Sequence, residues 1–415
     1  MMKCGCASGQ GCGYTAGMDS LPAARARGPS RTLTFACAAS CGALIANLYY
    51  AQPLVSLMAP ELGLSPRLAG LIVTITQLGY GAGLLLLVPL ADRFDNRRLI
   101  LVGMSLTTLA LLGVALARQP TGVFIAVAVA GLCSSGAQVI VPMVAALAPE
   151  ARRGRAIGNV MAGLLGGIML ARPVAGLIAA WLGWRAVFAF AALLIALMLG
   201  WLARILPSHR PLAPQPYRVI IRSMLQLLPR LPALRRRGLY QALLFGAFNV
   251  FWTATPLLLA RQFGFTQTEI ALFALAGASG ALAAPLAGRL ADRGLLRLGT
   301  LGALVGVTLS FLVAAIAPAL HSVVVLVACA LLLDAAVQSN HILSQRLIYA
   351  LLPEARGRIN AIYITMMFAG GALGSSVATL AFEGGGWLTA AFCGAALGAV
   401  ALGAFLTEPA ATAPR

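Results

Sequence analysis

Runs of about 20 apolar residues, broken by short charged or turn-forming segments, recur twelve times along this 415-residue chain. A run of that length crosses the hydrocarbon core of a bilayer as an α-helix, which satisfies its own backbone hydrogen bonds. The runs cover residues 33–57, 68–91, 98–117, 122–147, 156–181, 184–206, 237–260, 268–290, 296–317, 322–350, 357–382 and 386–406. Strands of a membrane barrel alternate over about 10 residues instead, so a barrel is excluded. The pattern predicts an all-α polytopic membrane protein with 12 transmembrane helices. Most breaks are short, Asp92–Arg98 and Pro149–Arg155 among them, so successive spans run antiparallel.

Charge agrees with this reading. Charged residues are 10% of the chain, against about 25% in soluble proteins. A soluble enzyme, a disordered chain and a nucleic-acid-binding domain are excluded. The net charge of +19 is scattered over the loops rather than gathered in a patch, so no nucleic-acid partner is expected. Placing the N-terminus in the cytoplasm puts 25 of the 30 basic residues on that side and Arg67, Arg118, Arg185 and Arg261 outside, with Arg172 inside a span. The positive-inside rule then puts both termini in the cytoplasm.

Residues 1–32 form a Gly- and Ser-rich tail, expected to be disordered, with no apolar core of the kind a signal peptide needs. The first span is therefore expected to insert as its own anchor, and Met18 offers a second start. Cys4, Cys6 and Cys12 lie in this tail without a neighbouring His or fourth Cys, so no metal site is expected. Residues 33–206 and 237–406 form two six-helix bundles, 207–236 a cytoplasmic linker and 407–415 a cytoplasmic tail. In the linker, Ile220, Ile221, Met224, Leu225 and Leu228 fall at helical spacing between Tyr217 and Leu228, with Arg218 and Arg222 one turn apart. The stretch reads either as an interfacial helix or as a solvated linker. Arg235, Arg236 and Arg237 are expected near anionic headgroups.

The two halves repeat each other. Ala91-Asp92-Arg93 ends the second span and Ala291-Asp292-Arg293 the eighth; Pro149-Glu150-Ala151-Arg152 precedes the fifth and Pro353-Glu354-Ala355-Arg356 the eleventh. Gly183-Trp184 and Gly386-Trp387 stand equally far beyond Arg155 and Arg358. Asn47, Tyr49, Tyr50 and Pro53 of the first span recur as Asn249, Phe251, Trp252 and Pro256 of the seventh. Parallel repeats of this kind place a substrate site near the midplane, at the junction of the halves.

Over residues 33–406 the chain resembles the major facilitator superfamily, whose loop motif is G-x-x-x-D-[RK]-x-G-[RK]-[RK]. The first copy keeps Asp92, Arg93, Arg97 and Arg98 but has Val88 and Asp95 in place of glycine; the second keeps Gly288, Asp292 and Arg293. The runs from Asn47 to Pro53 and from Leu170 to Gly176 are similar to the bacterial branch near sugar and purine-nucleoside efflux permeases. The resemblance implies a monomeric inner-membrane transporter working by alternating access. It also implies that Asp92, Arg93, Arg97, Arg98, Asp292 and Arg293 latch the bundles on the cytoplasmic side. A charge that only sets topology is the alternative for Asp92.

Charges inside a membrane are expensive, so each is a functional candidate. Asp334 lies near the middle of the tenth span, and Gln338, His341 and Gln345 follow on the same helical face. Asp334, with His341 as a second candidate, reads either as a proton-coupling group or as a structural carboxylate. Arg172 in the fifth span pairs with Asp334, binds an anionic substrate group, or snorkels to the surface. Asn47, Gln52, Gln77, Gln138, Asn249 and Gln338 are further cavity candidates. The arginine that many drug antiporters carry in the fourth span is absent, with Leu132 near its place, and so is the acidic residue often found in the first, which argues against cationic-drug export. No nucleotide-binding G-x-x-x-x-G-K-[ST] loop occurs, and no cofactor is expected. The expected function is proton-coupled export of a small organic solute such as a drug, sugar or nucleoside. The alternatives are import on the same fold or a transporter-derived sensor.

Overall fold

The computed structural model describes residues 29–211, 216–277, 283–352 and 355–408. The N-terminal cysteines, Pro353 and Glu354 lie outside them. Fifteen α-helices carry the described chain, with no strand among the described residues. They are α1 (Arg31–Ala46), α2 (Val55–Glu61), α3 (Leu71–Leu86), α4 (Asn96–Leu116), α5 (Pro120–Ser134), α6 (Ala137–Leu147), α7 (Glu150–Leu182) and α8 (Trp184–Ile205). Then follow α9 (Tyr217–Arg230), α10 (Pro232–Gln262), α11 (Gln267–Phe273), α12 (Ala283–Asp292), α13 (Leu296–Ile316), α14 (Val323–Leu351) and α15 (Arg356–Leu406).

Nine helical segments among the described residues are long and apolar enough to cross a membrane. The other spans read from the sequence are broken or joined. The first is cut into α1 and α2 by turns at residues 47–51 and a 3-10 turn at Gln52–Leu54, where Pro53 has no N–H to give. The eighth is divided between α11 and α12. The eleventh and twelfth form one run, α15, whose helical geometry fails at Gly385 and Gly386. Gly386 has φ +70° and Gly183, between α7 and α8, has φ +79°. Both also have ψ near 180°, a conformation essentially closed to other residues. A buried tryptophan follows each, Trp184 and Trp387.

Glycines set the closest helix crossings, and they do so twice. Gly42 of α1 lies against Gly163 and Gly167 of α7, and Gly246 of α10 lies against Gly370 and Gly374 of α15. A Cβ on Gly42 would stand 2.6 Å from the Gly163 carbonyl oxygen. Each crossing uses a G-x-x-x-G pair, which lets backbones touch where apolar burial gives no drive between helices in lipid.

Several boundaries differ from the sequence reading. Ser30 caps α1 by accepting from the Leu33 amide at 3.1 Å, so residues 30–32 belong to the first helix and its cap. Linker residues Tyr217–Arg230 form α9, whose Ile220, Met224 and Leu227 are buried while Arg218 and Arg222 are exposed. Helix α10 starts at Pro232, and Arg237 is not among headgroups. It is 4% exposed, donates to Thr300 Oγ1 at 2.7 Å and faces Glu408 at 3.7 Å. Glu408 therefore pins the start of the C-terminal tail to α10.

The end of the molecule carrying Arg93, Arg97, Arg98 and Arg358, here the basic end, holds a cavity of about 630 Å³ between the halves. Its walls include Asp92 and Gln138 from one half, Arg358 and Asn360 from the other, and Ile220 and Met224 from α9. The opposite end is sealed across the halves. Thr74 Oγ1 lies 2.7 Å from Ser375 Oγ and 2.8 Å from Ser376 Oγ. Thr379 donates to the Arg67 carbonyl at 3.1 Å, and Gln267 to that of Pro53 at 3.0 Å.

Candidate functional site

The break after α1 turns Gln52 inward, where it meets both α7 and α10. Its Oε1 accepts from Arg172 Nε at 2.6 Å and its Nε2 donates to Asn249 Oδ1 at 2.8 Å. Gln77 of α3 donates to the same oxygen at 2.5 Å, while Asn249 Nδ2 donates back to the Phe245 carbonyl. Side chains from both halves thus converge on Asn249. Gly371 makes the room: a Cβ there would lie 2.5 Å from Gln77 Oε1 and 2.8 Å from Asn249 Nδ2.

Arg172 and Asp334 sit beside this amide cluster and are 3% and 5% exposed. The guanidinium lies 4.9 Å from the ring centre of Tyr49, 4.9 Å from Phe248 and 4.7 Å from Trp252. Such contacts offset part of the cost of burying the cation. Its Nη2 has no hydrogen-bond partner among the described residues. Asp334 Oδ1 accepts from Trp252 Nε1 at 2.9 Å, and a Cβ on Gly277 would stand 3.0 Å from its Oδ2. Arg172 does not snorkel, and no ion pair within 4.0 Å joins it to Asp334. Trp252 stands against both, its ring on the cation and its N–H on the carboxyl.

The remaining candidates scatter. Asn47 donates to Ser134 Oγ at 3.2 Å inside its own half, and Gln138, on the cavity wall, donates to Tyr80 Oη at 3.2 Å. Gln338 is half-buried on α14. His341 stacks on Tyr363 with ring centres 5.6 Å apart. Its Nδ1 lies 3.3 Å from Tyr363 Oη, and no hydrogen bond joins it to Asp334, although both lie on one face of α14. At the basic end, Arg97 donates to the Ala203 carbonyl at 2.6 Å, Arg93 lies over the Phe94 ring, and Asp292 pairs with Arg346 at 2.6 Å. Arg98 is exposed near Arg93, and Arg293 is exposed at the end of α12. Among the described residues no ion pair joins the two motif copies. Asp95, where the motif has glycine, accepts from Ser208 Oγ at 2.6 Å and from the His209 amide at 3.1 Å.

Residue reading missed the parts that have no polar signature. Trp252 stood out only as an aromatic landmark, and Phe248 not at all. The buried pair Asn340 Nδ2 to Gln241 Oε1, 2.7 Å apart, escaped because both lie off the Asp334 stripe.

Two like helical halves, with polar groups gathered where they meet and a cavity between the halves at one end, define a membrane transporter. The chain belongs to the major facilitator superfamily. The family model described as Major Facilitator Superfamily matches residues 34–333 and 239–415. An uncharacterized transporter, YgaY, of Escherichia coli O157:H7 is 41% identical over 87% of this chain and 91% of its own. The probable transporter SCO4007 of Streptomyces coelicolor is 36% identical over 89% and 87%. A chloramphenicol resistance protein of Pseudomonas aeruginosa is 33% identical over 33% of each chain. Among solved structures, a D-xylose-proton symporter shares the fold at TM-score 0.73 and 17% identity, covering 91% of this chain and 98% of its own.

Proposed function

We propose that this protein is a proton-coupled secondary transporter that exports a small organic solute by alternating access, acting as a monomer in a bacterial inner membrane. One observation carries the reading: Trp252 holds Asp334 of one half against Arg172 of the other, at a junction that has to part when the cavity changes sides. A buried charge at such a seam biases the conformational equilibrium, and adding or removing a proton on Asp334 changes that bias. Gln52, Gln77, Asn249 and Arg172 receive the solute at the junction. Asn47, Gln138 and Gln338 line its route, with His341 a second proton candidate. The arginine asymmetry supports placing the basic end in the cytoplasm, and the cavity then faces inward.

In the opposite state the cavity closes at the basic end. Asp92, Arg93, Arg97 and Arg98 then meet their counterparts near Asp292 and Arg293 and latch the halves. Export draws support from the partial likeness to the chloramphenicol resistance protein. The test uses everted vesicles bearing a pH gradient. Asp334→Asn abolishes solute accumulation driven by that gradient while solute binding persists; accumulation equal to wild type refutes the assignment. Solute uptake into right-side-out vesicles alone indicates import instead.

A further inference from the structure

We infer that the solute is an organic anion, its carboxylate or like group taken by Arg172 and its flat apolar body by the surrounding aromatic rings. The inference rests on Asp334 as the proton site. Three features of the junction carry it. The guanidinium is 3% exposed, has its Nε committed to Gln52, and keeps Nη2 without a partner among the described residues. Among the described residues no carboxylate lies within 4.0 Å of it. A buried guanidinium with an unused N–H is a receptor for an oxyanion, since it gains a charge-assisted bond and loses no existing pair.

The second feature is the path to it. From Gln138 on the cavity wall, Tyr80 leads to Phe368 at 4.6 Å, Phe368 to Phe245 at 5.2 Å, and Phe245 stacks on Phe248 at 5.3 Å. Phe248 lies against Arg172 itself. Tyr80 belongs to one half and the three phenylalanines to the other, so the row opens at the Tyr80–Phe368 contact as the halves part. A solute moving from the cavity to Arg172 then passes over the phenylalanine rings, which favour a planar body.

The third feature is charge balance. Among the described residues, the charged or titratable groups acting on Asp334 are Arg172 from α7 and Tyr49 from the turn after α1. With Asp334 ionised, Arg172 already has a counter-charge across Trp252. With Asp334 protonated, the cation is uncompensated. Binding of an anion at Arg172 and of a proton at Asp334 therefore favour one another, by thermodynamic linkage.

The test uses the purified full chain in lipid nanodiscs and a thermal-shift panel of matched triplets: ring carboxylates such as benzoate, indole-acetate and naphthoate, their amides and their amines. The carboxylates raise the melting temperature more at pH 5.5 than at pH 8, and amides and amines do not. Arg172→Gln weakens carboxylate binding about tenfold or more, the loss expected for a charge-assisted hydrogen bond, and Arg172→Lys restores part of it. A panel in which no carboxylate stabilises the protein overturns the inference. So does stabilisation led by amines, or carboxylate binding unchanged in Arg172→Gln. Asp334→Asn separates the two readings: it keeps carboxylate binding but removes its pH dependence. If pH dependence persists in Asp334→Asn while Arg172→Gln still loses the anion, Asp334 is not the proton site and Arg172 remains the anion receptor.

Discussion

Thr74→Val tests whether the sealed end is held by a few hydroxyl contacts between the halves. Thr74 Oγ1 meets the Gly70 and Ala372 carbonyls at 3.0 Å each, Ser375 Oγ at 2.7 Å and Ser376 Oγ at 2.8 Å. The hydroxyl has one proton, so it donates to one carbonyl and accepts from the serines. Valine keeps the shape and removes every one of these bonds. Ser375 then donates instead to the Ala372 carbonyl, 3.0 Å away, so only part of its bonding is lost. At about 0.5–1.5 kcal/mol for each net hydrogen bond, the sealed form loses about 1–2 kcal/mol relative to the form open at this end. That moves the ratio of the two forms about 5- to 30-fold. Spin labels at Ser65 and Gln262, both exposed beside the seal, report it by double electron–electron resonance. A second, longer distance grows in Thr74→Val. An unchanged distance distribution in folded protein refutes the seam as the element that holds this end shut.

Asp92→Asn weakens the latch in the opposite state by about 1–3 kcal/mol, so a cysteine placed at Gln138 labels faster from the basic end; unchanged labelling and transport leave Asp92 a topology charge. Asp95 gives a pH dependence outside the membrane. Burial pushes its carboxyl up, but bonds from Ser208 and from the His209 and Arg97 amides, with the Arg210 charge, prevail and hold it below the usual range. Its folded value is depressed, so its anchoring of the linker is full above the unfolded value of about 3.9 and is lost as pH falls through the folded value. Exchange protection of the His209 amide, which donates to Asp95, follows that loss in wild type and is low at every pH in Asp95→Ala. Reporter fusions at Arg118, Arg185 and His321 read periplasmic and those at Gly154 and Leu295 cytoplasmic; a reversed pattern overturns the placement of the cavity.

The sequence by itself determined the class of molecule, because in lipid the backbone leaves only helices or closed barrels, and 20-residue apolar runs exclude the barrel. It also determined the repeat. The Gly-Trp landmarks at Gly183 and Gly386 mark real breaks in helix geometry, since only glycine adopts the backbone needed there. The buried charges were legible for the same reason: Asp334 and Arg172 stand out in apolar runs because a charge in hydrocarbon is costly. What they touch was not legible. Trp252 between them, the row from Tyr80 to Phe248 and the burial of Arg237 arise where helices distant in sequence meet. An aromatic or an arginine looks the same in sequence whether it faces lipid, headgroups or a partner helix. Which end of the molecule stands sealed was likewise decided by contacts between the halves, such as Thr74 with Ser375, about 300 residues apart. Local pattern records what each helix is, and only packing decides which faces of two helices are pressed together.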